Sequence, residues 1–167
     1  NAAMRNGREA EPIIRDWYAS RIKKEINEVG MGIWKENPIF RASPDGLYSD
    51  EKGDYLVEFK APARLYAKLL SHAAAVARGY NKPANVHYHI FDSHYAQMTA
   101  TCAIFNRPYC DYVVVGLQDG KAYCERIPFN KDHWDKLREN GEKFYESHVV
   151  PLLKANGLER LDPVVGD

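Results

Sequence analysis

The chain has 167 residues, 45% hydrophobic and 28% charged, which excludes a mainly disordered or collagen-like protein. At roughly 150 residues per domain this length reads as a single domain over residues 1–167, able to fold without disulfide or metal staples. Lys+Arg and Asp+Glu number 23 each, so the net charge is +0 and no global cationic field exists to gather a polyanion. Any contact with nucleic acid must then come from a local basic surface or from bound cations.

From about Arg8 to Val29, the apolar residues Ile14, Trp17 or Tyr18, Ile22, Ile26 and Val29 recur at three- and four-residue steps, predicting an amphipathic helix. Pro12 is tolerable only in a first turn, so the helix is expected to begin near Glu9 to Glu11, or to abut an earlier short helix, and to stop at Gly30 and Gly32. Ile33-Trp34 and Phe40-Arg41-Ala42 are short extended candidates, Ser43-Pro44-Asp45-Gly46 a hairpin turn, and residues 49–54 a polar loop. Tyr55 to Lys60 is a strand ended by Pro62. Leu65 to Ala77 is helical, as is Ser93 to Asn106 with Asp92 or Ser93 as cap. Tyr112–Leu117 and Ala122–Ile127 form a hairpin, and a last helix runs from about Asn130 to Ala155 with a kink near Pro151. Helices before and after a run of strands predict an α/β or α+β sandwich.

The chemistry concentrates between Asp45 and Lys60. In the strand, Tyr55, Val57 and Phe59 face one way, and Leu56, Glu58 and Lys60 the other. If this strand pairs with the one preceding Asp45, then Asp45, Glu58 and Lys60 converge at one sheet edge. Two carboxylates there are hard oxygen ligands suited to Mg²⁺ or Mn²⁺. Such ions neutralise and polarise a phosphodiester and lower the pKa of an attacking water. A lysine beside them holds that water and adds charge against the phosphorane. A short D…ExK pattern also arises by accident in ordinary turn and strand residues.

The wider string is more specific. Gly7-x-x-x-Glu11-Pro12-x-x-Arg15-x-x-Tyr18, Ala42-Ser43-Pro44-Asp45-Gly46-Leu47, Leu56-Val57-Glu58-Phe59-Lys60-Ala61-Pro62 and Tyr95-Ala96-Gln97-Met98 follow in that order. From about Gly7 to Leu117 the chain resembles the lambda-exonuclease-like (YqaJ) nucleases of phages and viruses, a branch of the PD-(D/E)xK superfamily. The resemblance implies a restriction-endonuclease-like core, a central mixed sheet flanked by helices. It implies Asp45 and Glu58 as metal-binding carboxylates, with the Phe59 main-chain carbonyl a further ligand. Lys60 matches the catalytic lysine, and Glu11 the acidic residue that reaches from the first helix to a second metal or its water. Gln97 matches the glutamine orienting the water or Lys60, and Ser43 a serine contacting the phosphate. Glu11, Arg15 and Tyr18 share a helix face, so Arg15 is expected at the DNA phosphate; a salt bridge with Glu11 is the alternative, and for Tyr18 core packing is favoured.

By the same resemblance the protein is a Mg²⁺- or Mn²⁺-dependent deoxyribonuclease, using two ions, that digests double-stranded DNA ends 5′→3′ in viral or phage recombination or replication. It would work as a ring-shaped homotrimer beside a single-strand annealing recombinase. The alternatives are an endonuclease or RNA nuclease with the same core, or a catalytically silent DNA-binding recombination module. The chain departs from the family pattern at Thr99, where a second Gln is usual, and at Ala61, where Cys precedes the proline. It starts at Asn1, so it reads as a piece lacking the upstream segment that captures a 5′-phosphate.

Other features have plainer readings. His72, His87, His89 and His94 invite zinc, but no Cys or acidic partner follows at ligand spacing; His94, one turn before Gln97, belongs at the site edge or on the surface. Arg5, Arg8, Arg15, Arg21, Lys23, Lys24, Lys60, Arg64 and Lys68 form local basic stretches, either a solvated face or phosphate contacts. Trp134, Phe144, Tyr145 and Leu152 read as core or subunit interface. Cys102, Cys110 and Cys124, with no CxxC, suggest buried thiols in a reduced, intracellular setting. No signal-peptide pattern opens the chain, and no apolar run approaches the ~20 residues of a membrane span, so no membrane partner is expected.

Overall fold

In a computed structural model, residues 2–61, 63–80 and 89–158 are described. Pro62 and His87 fall outside them, as do the side chains of Arg5 and Arg64. In chain order the elements are α1 (Ala2–Ile22), β1 (Gly32–Ile33), β2 (Arg41–Ala42), β3 (Gly46–Asp50), β4 (Gly53–Lys60), α2 (Ala63–Ala77), α3 (Asp92–Phe105), β5 (Tyr109–Val115), β6 (Ala122–Pro128), α4 (Lys131–Phe144) and α5 (Val150–Ala155). A π-helical turn, Tyr145–Val149, joins the last two.

Among the described residues, four strands form one sheet in the order β3-β4-β5-β6. The β3/β4 and β5/β6 pairs are antiparallel, while β4 and β5 run parallel, joined by a crossover through α2 and α3. The mixed sheet flanked by helices is the fold class expected from the sequence. The alternation in β4 sorts the two cores. Tyr55, Val57 and Phe59 pack with Ala10, Ile14 and Tyr18 of α1, whereas Leu56 packs with Tyr66 and Leu69 of α2 and Met98 and Cys102 of α3. Glu58 therefore points into the α2/α3 layer, where a charge has no business without partners.

Several expectations need correction. The first helix starts earlier and ends earlier than its periodicity suggests, with Pro12 in its interior. Lys23 takes a left-handed conformation (φ 55°) and the Lys24 N–H closes the end on the Ala19 carbonyl. Ile26 still reaches the core, but from an irregular segment whose Asn27 bridges to Leu47. The strand pairing with β4 follows Asp45 instead of preceding it, since Gly46 opposes Val57 and Asp50 opposes Gly53. Asp45-Gly46 thus opens β3 and is not the tip of a hairpin. At Gly46 a Cβ would lie 2.4 Å from Ile26 Cγ2, so glycine is needed for the close approach of the 26–28 segment.

Helix α3 is preceded by Phe91, with no side-chain cap; Asp92 is its first residue. Asn130 caps α4 by accepting from the His133 N–H. The kink expected near Pro151 is the π-helical turn immediately before it, which accommodates a residue that has no N–H to donate. Trp134 is buried edge-on against Trp34 and Phe40, while Phe144 and Leu152 are exposed. Cys102 and Cys110 are buried as expected, but Cys124 is exposed.

Two buried carboxylates on this sheet are treated differently. Asp111, on the α1 face, receives the hydroxyls of Tyr18 (2.9 Å) and Tyr48 and the Arg126 Nε–H (2.9 Å). It is a saturated structural charge that ties α1 to β3, β5 and β6. This gives Tyr18 the core role that the sequence favours. Glu58 has no such set.

Candidate active site at the open end of the sheet

β3 begins at Gly46, opposite Val57, so the last residues of β4 run past it with a free edge. Asp45 caps that edge. Its N–H donates to the Val57 carbonyl (3.1 Å) and its Oδ2 accepts from the Phe59 N–H (2.7 Å). The polar groups of alternate residues point to the same side of a strand, so the Phe59 carbonyl is directed to this edge, beyond the end of β3.

Glu58 is 0% exposed, and its Oε1 has no hydrogen-bond donor. Its Oε2 accepts from Gln97 Nε2 at 3.2 Å and lies 3.5 Å from Lys60 Nζ. Lys60 Nζ in turn donates to Gln97 Oε1 at 3.0 Å. The amide of Gln97 therefore bridges acid and lysine, presenting its NH₂ to one and its oxygen to the other. Burial, then the neighbouring Asp45 charge, push the Glu58 carboxyl up to about 8, with Lys60 acting in the opposite direction. A fully buried acid with one orphaned oxygen beside a second carboxylate has the environment of a cation ligand or a shared proton.

Beside this cluster a cleft of about 270 Å³ is lined by Arg8, Glu11, Ile14, Asp45, Phe59, Lys60 and Ala61. Glu11 comes from α1, the opposite layer from Gln97. Its carboxyl is raised by burial and by Asp45, against the pull of Arg15. One Glu11 oxygen accepts from Arg15 Nη2 at 2.7 Å. Among the described residues, no three His, Cys, Asp or Glu side chains cluster as an ion site by themselves. Any ion at Asp45 and Glu58 would thus take further oxygens from main chain, water or substrate, as Mg²⁺ commonly does.

Asp45, Glu58, Lys60 and Gln97 are brought together, with Glu11 on the far wall. Ser43 is exposed just before the buried Pro44. Arg15 is turned into the protein, bonded to Glu11, Glu28 and the Asp45 carbonyl. The Arg15–Glu11 salt bridge is the alternative weighed from the sequence.

The sequence reading placed Arg8 among the basic stretches, as a solvated face or phosphate contacts; the structure puts it in the cleft, three residues before Glu11 on α1. The sequence reading missed Tyr112, which lies opposite Glu58 across β4/β5 and bonds His94 Nδ1 at 2.8 Å. Only the parallel register reveals that pairing. Burial, then the Lys60 charge, push His94 down to about 4, so it is neutral at physiological pH. Across the sheet, His89 meets Glu125 at 2.8 Å, an acidic partner supplied by β6 and not by local spacing.

A family model described as the YqaJ-like viral recombinase domain matches residues 1–104, more than half of the chain. The chain belongs to this family. Family membership agrees with the resemblance carried by the Asp45, Glu58, Lys60 and Gln97 motifs. Among solved structures, the alkaline exonuclease LHK-Exo from Laribacter hongkongensis is similar at 27% identity and a TM-score of 0.67, over 94% of this chain and 75% of that one. LHK-Exo in complex with dAMP is similar at 26% identity, with the same TM-score of 0.67 and the same coverage of 94% and 75%. No curated protein matches. No helix among the described residues is long and apolar enough to cross a membrane.

Proposed function

We propose that this YqaJ-family chain is a metal-dependent deoxyribonuclease that degrades duplex DNA from its ends, 5′→3′, in viral or phage recombination inside the host cell. The observation that carries the reading is the buried Glu58 with its orphaned Oε1, set beside Asp45 and bridged to Lys60 by Gln97. The exonuclease relatives support the choice of DNA ends.

The donor set fits a hard divalent ion. Asp45, Glu58 and the Phe59 carbonyl would hold one Mg²⁺ or Mn²⁺, and Glu11 a second ion or its water. When bound, such ions supply charge neutralisation at the phosphate and a water acidic enough to attack it at neutral pH. The chain's own groups do the rest. Lys60 holds the attacking water by a hydrogen bond and places its positive charge against the extra negative charge of the phosphorane. Gln97 keeps the ammonium aimed by accepting one of its protons, and keeps its own amide unflipped by donating to Glu58. His94, held neutral by burial, adds no competing cation beside Lys60. Arg8 and Ser43 meet the DNA backbone.

With a net charge of +0 the chain has little electrostatic grip on DNA, so a homotrimeric ring that retains its substrate by topology is the assembly we propose. A single-strand annealing recombinase would take up the strand that remains. Long linear duplex labelled separately at each 5′ and 3′ end tests polarity and retention together. Early release of 5′ label is expected, with digestion continuing against a large excess of unlabelled duplex. Supercoiled plasmid should stay intact. Plasmid nicking, or preferential cleavage of RNA, identifies an endonuclease or RNA nuclease with the same core. DNA binding without any cleavage identifies a silent module.

A further inference from the structure

Arg15 is the most heavily engaged cation near the cleft, and its guanidinium donors are turned to acceptors of the protein itself. Its side chain is 11% exposed. Nη2 donates to Glu11 Oε1 (2.7 Å) and to the Asp45 carbonyl (3.0 Å), Nε donates to that same carbonyl (3.3 Å), and Nη1 donates to Glu28 Oε1 (2.7 Å). An arginine grips phosphate best with the paired donors of one planar edge. Here the Nε/Nη2 edge is committed to a main-chain carbonyl.

We propose that Arg15 is a positioning residue of the cleavage site and not a phosphate contact. It rests on the metal-nuclease reading above and specifies how the site is held. Asp45 is fixed at three points: its N–H on Val57, its carboxylate on the Phe59 N–H, and its carbonyl on Arg15. Remove the third and the position of Asp45 against Glu58 rests on its two contacts with β4 alone. The neighbouring 26–28 segment makes other contacts. Ile26 packs on Gly46 and Asn27 bridges to Leu47, but neither bonds the Asp45 carbonyl. The same guanidinium holds Glu11, so one group sets both walls of the cleft, and Glu28 braces it from the solvent side. Lysine carries its three donors on a single nitrogen and cannot reproduce contacts spread over Nε, Nη1 and Nη2.

Arg8 also lines the cleft, is exposed, makes no ion pair among the described residues, and so is a cation available to DNA. The two arginines of one helix face thus divide the labour, and the difference is measurable. Each phosphate contact contributes about 0.9 to the slope of log affinity against log salt.

The test compares the wild-type chain with Arg15→Lys, Arg15→Gln and Arg8→Gln. Folding is checked by circular dichroism, duplex-DNA affinity is measured in EDTA over a salt series, and Mg²⁺ binding by calorimetry without DNA. For folded Arg15 variants we expect the wild-type salt slope and a Mg²⁺ affinity weaker by about 10- to 100-fold, the usual cost of losing a group that orients metal ligands. Arg8→Gln should lower the slope by about one and leave Mg²⁺ binding unchanged. If the Arg15 variants do not fold, Glu28→Gln, which removes only the exposed brace, should weaken Mg²⁺ in the same direction by a few-fold. The inference is overturned if Arg15 variants lose about one unit of slope while binding Mg²⁺ normally, or if neither quantity moves. It is equally overturned if Glu28→Gln, standing in for unfolded Arg15 variants, binds Mg²⁺ as wild type does. A wild-type protein that binds no Mg²⁺ and cleaves no DNA overturns the nuclease reading itself, and this inference with it.

Discussion

Lys60→Ala should lower the single-turnover cleavage rate by on the order of 10²-fold or more, with the fold and duplex-DNA affinity close to wild type. The reason is local. The Lys60 ammonium sits at the mouth of the cleft, and its contacts are to Gln97 and Glu58, not to the core. Losing it removes a charge that matters most when the phosphorane forms, and opens no cavity in the hydrophobic layers. Lys60→Arg should not restore the rate, because a planar fork cannot replace a compact ammonium held by one amide oxygen. A near-wild-type rate for the alanine variant removes Lys60 from the mechanism.

Glu58→Gln should separate function from stability. The variant keeps the shape and can still accept from Gln97, but it loses the charge. Mg²⁺ binding should collapse and cleavage fall by on the order of 10²-fold or more, comparable with losing a transition-state charge contact. Metal-free stability should move the other way. An unfolded Glu titrates near its ordinary value of 4.5, whereas in the fold Glu58 is raised to about 8. The folded chain therefore binds the proton more tightly. That contribution is full below about 4.5, declines as pH rises, and is lost above about 8. Thermal melts in EDTA should show wild type losing ground to Glu58→Gln between pH 5 and pH 8, values that bracket most of that window. Mg²⁺ at pH 8 should raise the melting temperature of wild type and not of the variant. Asp45→Asn should likewise lose Mg²⁺ while still accepting from the Phe59 N–H. Equal Mg²⁺ affinity in wild type and Glu58→Gln contradicts the assignment.

The parts of the site that depend on local alternation or motif spacing were legible in the sequence. Glu58 and Lys60 share a strand face because side chains alternate, and Gln97 was identified through the string of motifs around it. What was not legible depends on which strand lies beside which. The helix stop at Lys23 could not be read because Ile26 and Val29 continue the apolar spacing, although Ile26 enters the core from an irregular segment. The convergence of Asp45 with Glu58 was foreseen with the wrong strand, since Ser49 to Asp54 looked like polar loop and β3 reaches Asp50. The partners of Arg15 lie four, thirteen and thirty residues away, and only the first separation is a helical spacing. His94 with Tyr112, and His89 with Glu125, likewise meet through the β4/β5/β6 register.

The most direct test is crystallographic. Crystals of the wild-type protein grown with Mn²⁺ should show an anomalous peak bounded by the carboxylates of Asp45 and Glu58 and the carbonyl of Phe59, and the peak should vanish in Glu58→Gln. No peak at that position, in protein that still cleaves duplex DNA with Mn²⁺, would place the chemistry elsewhere.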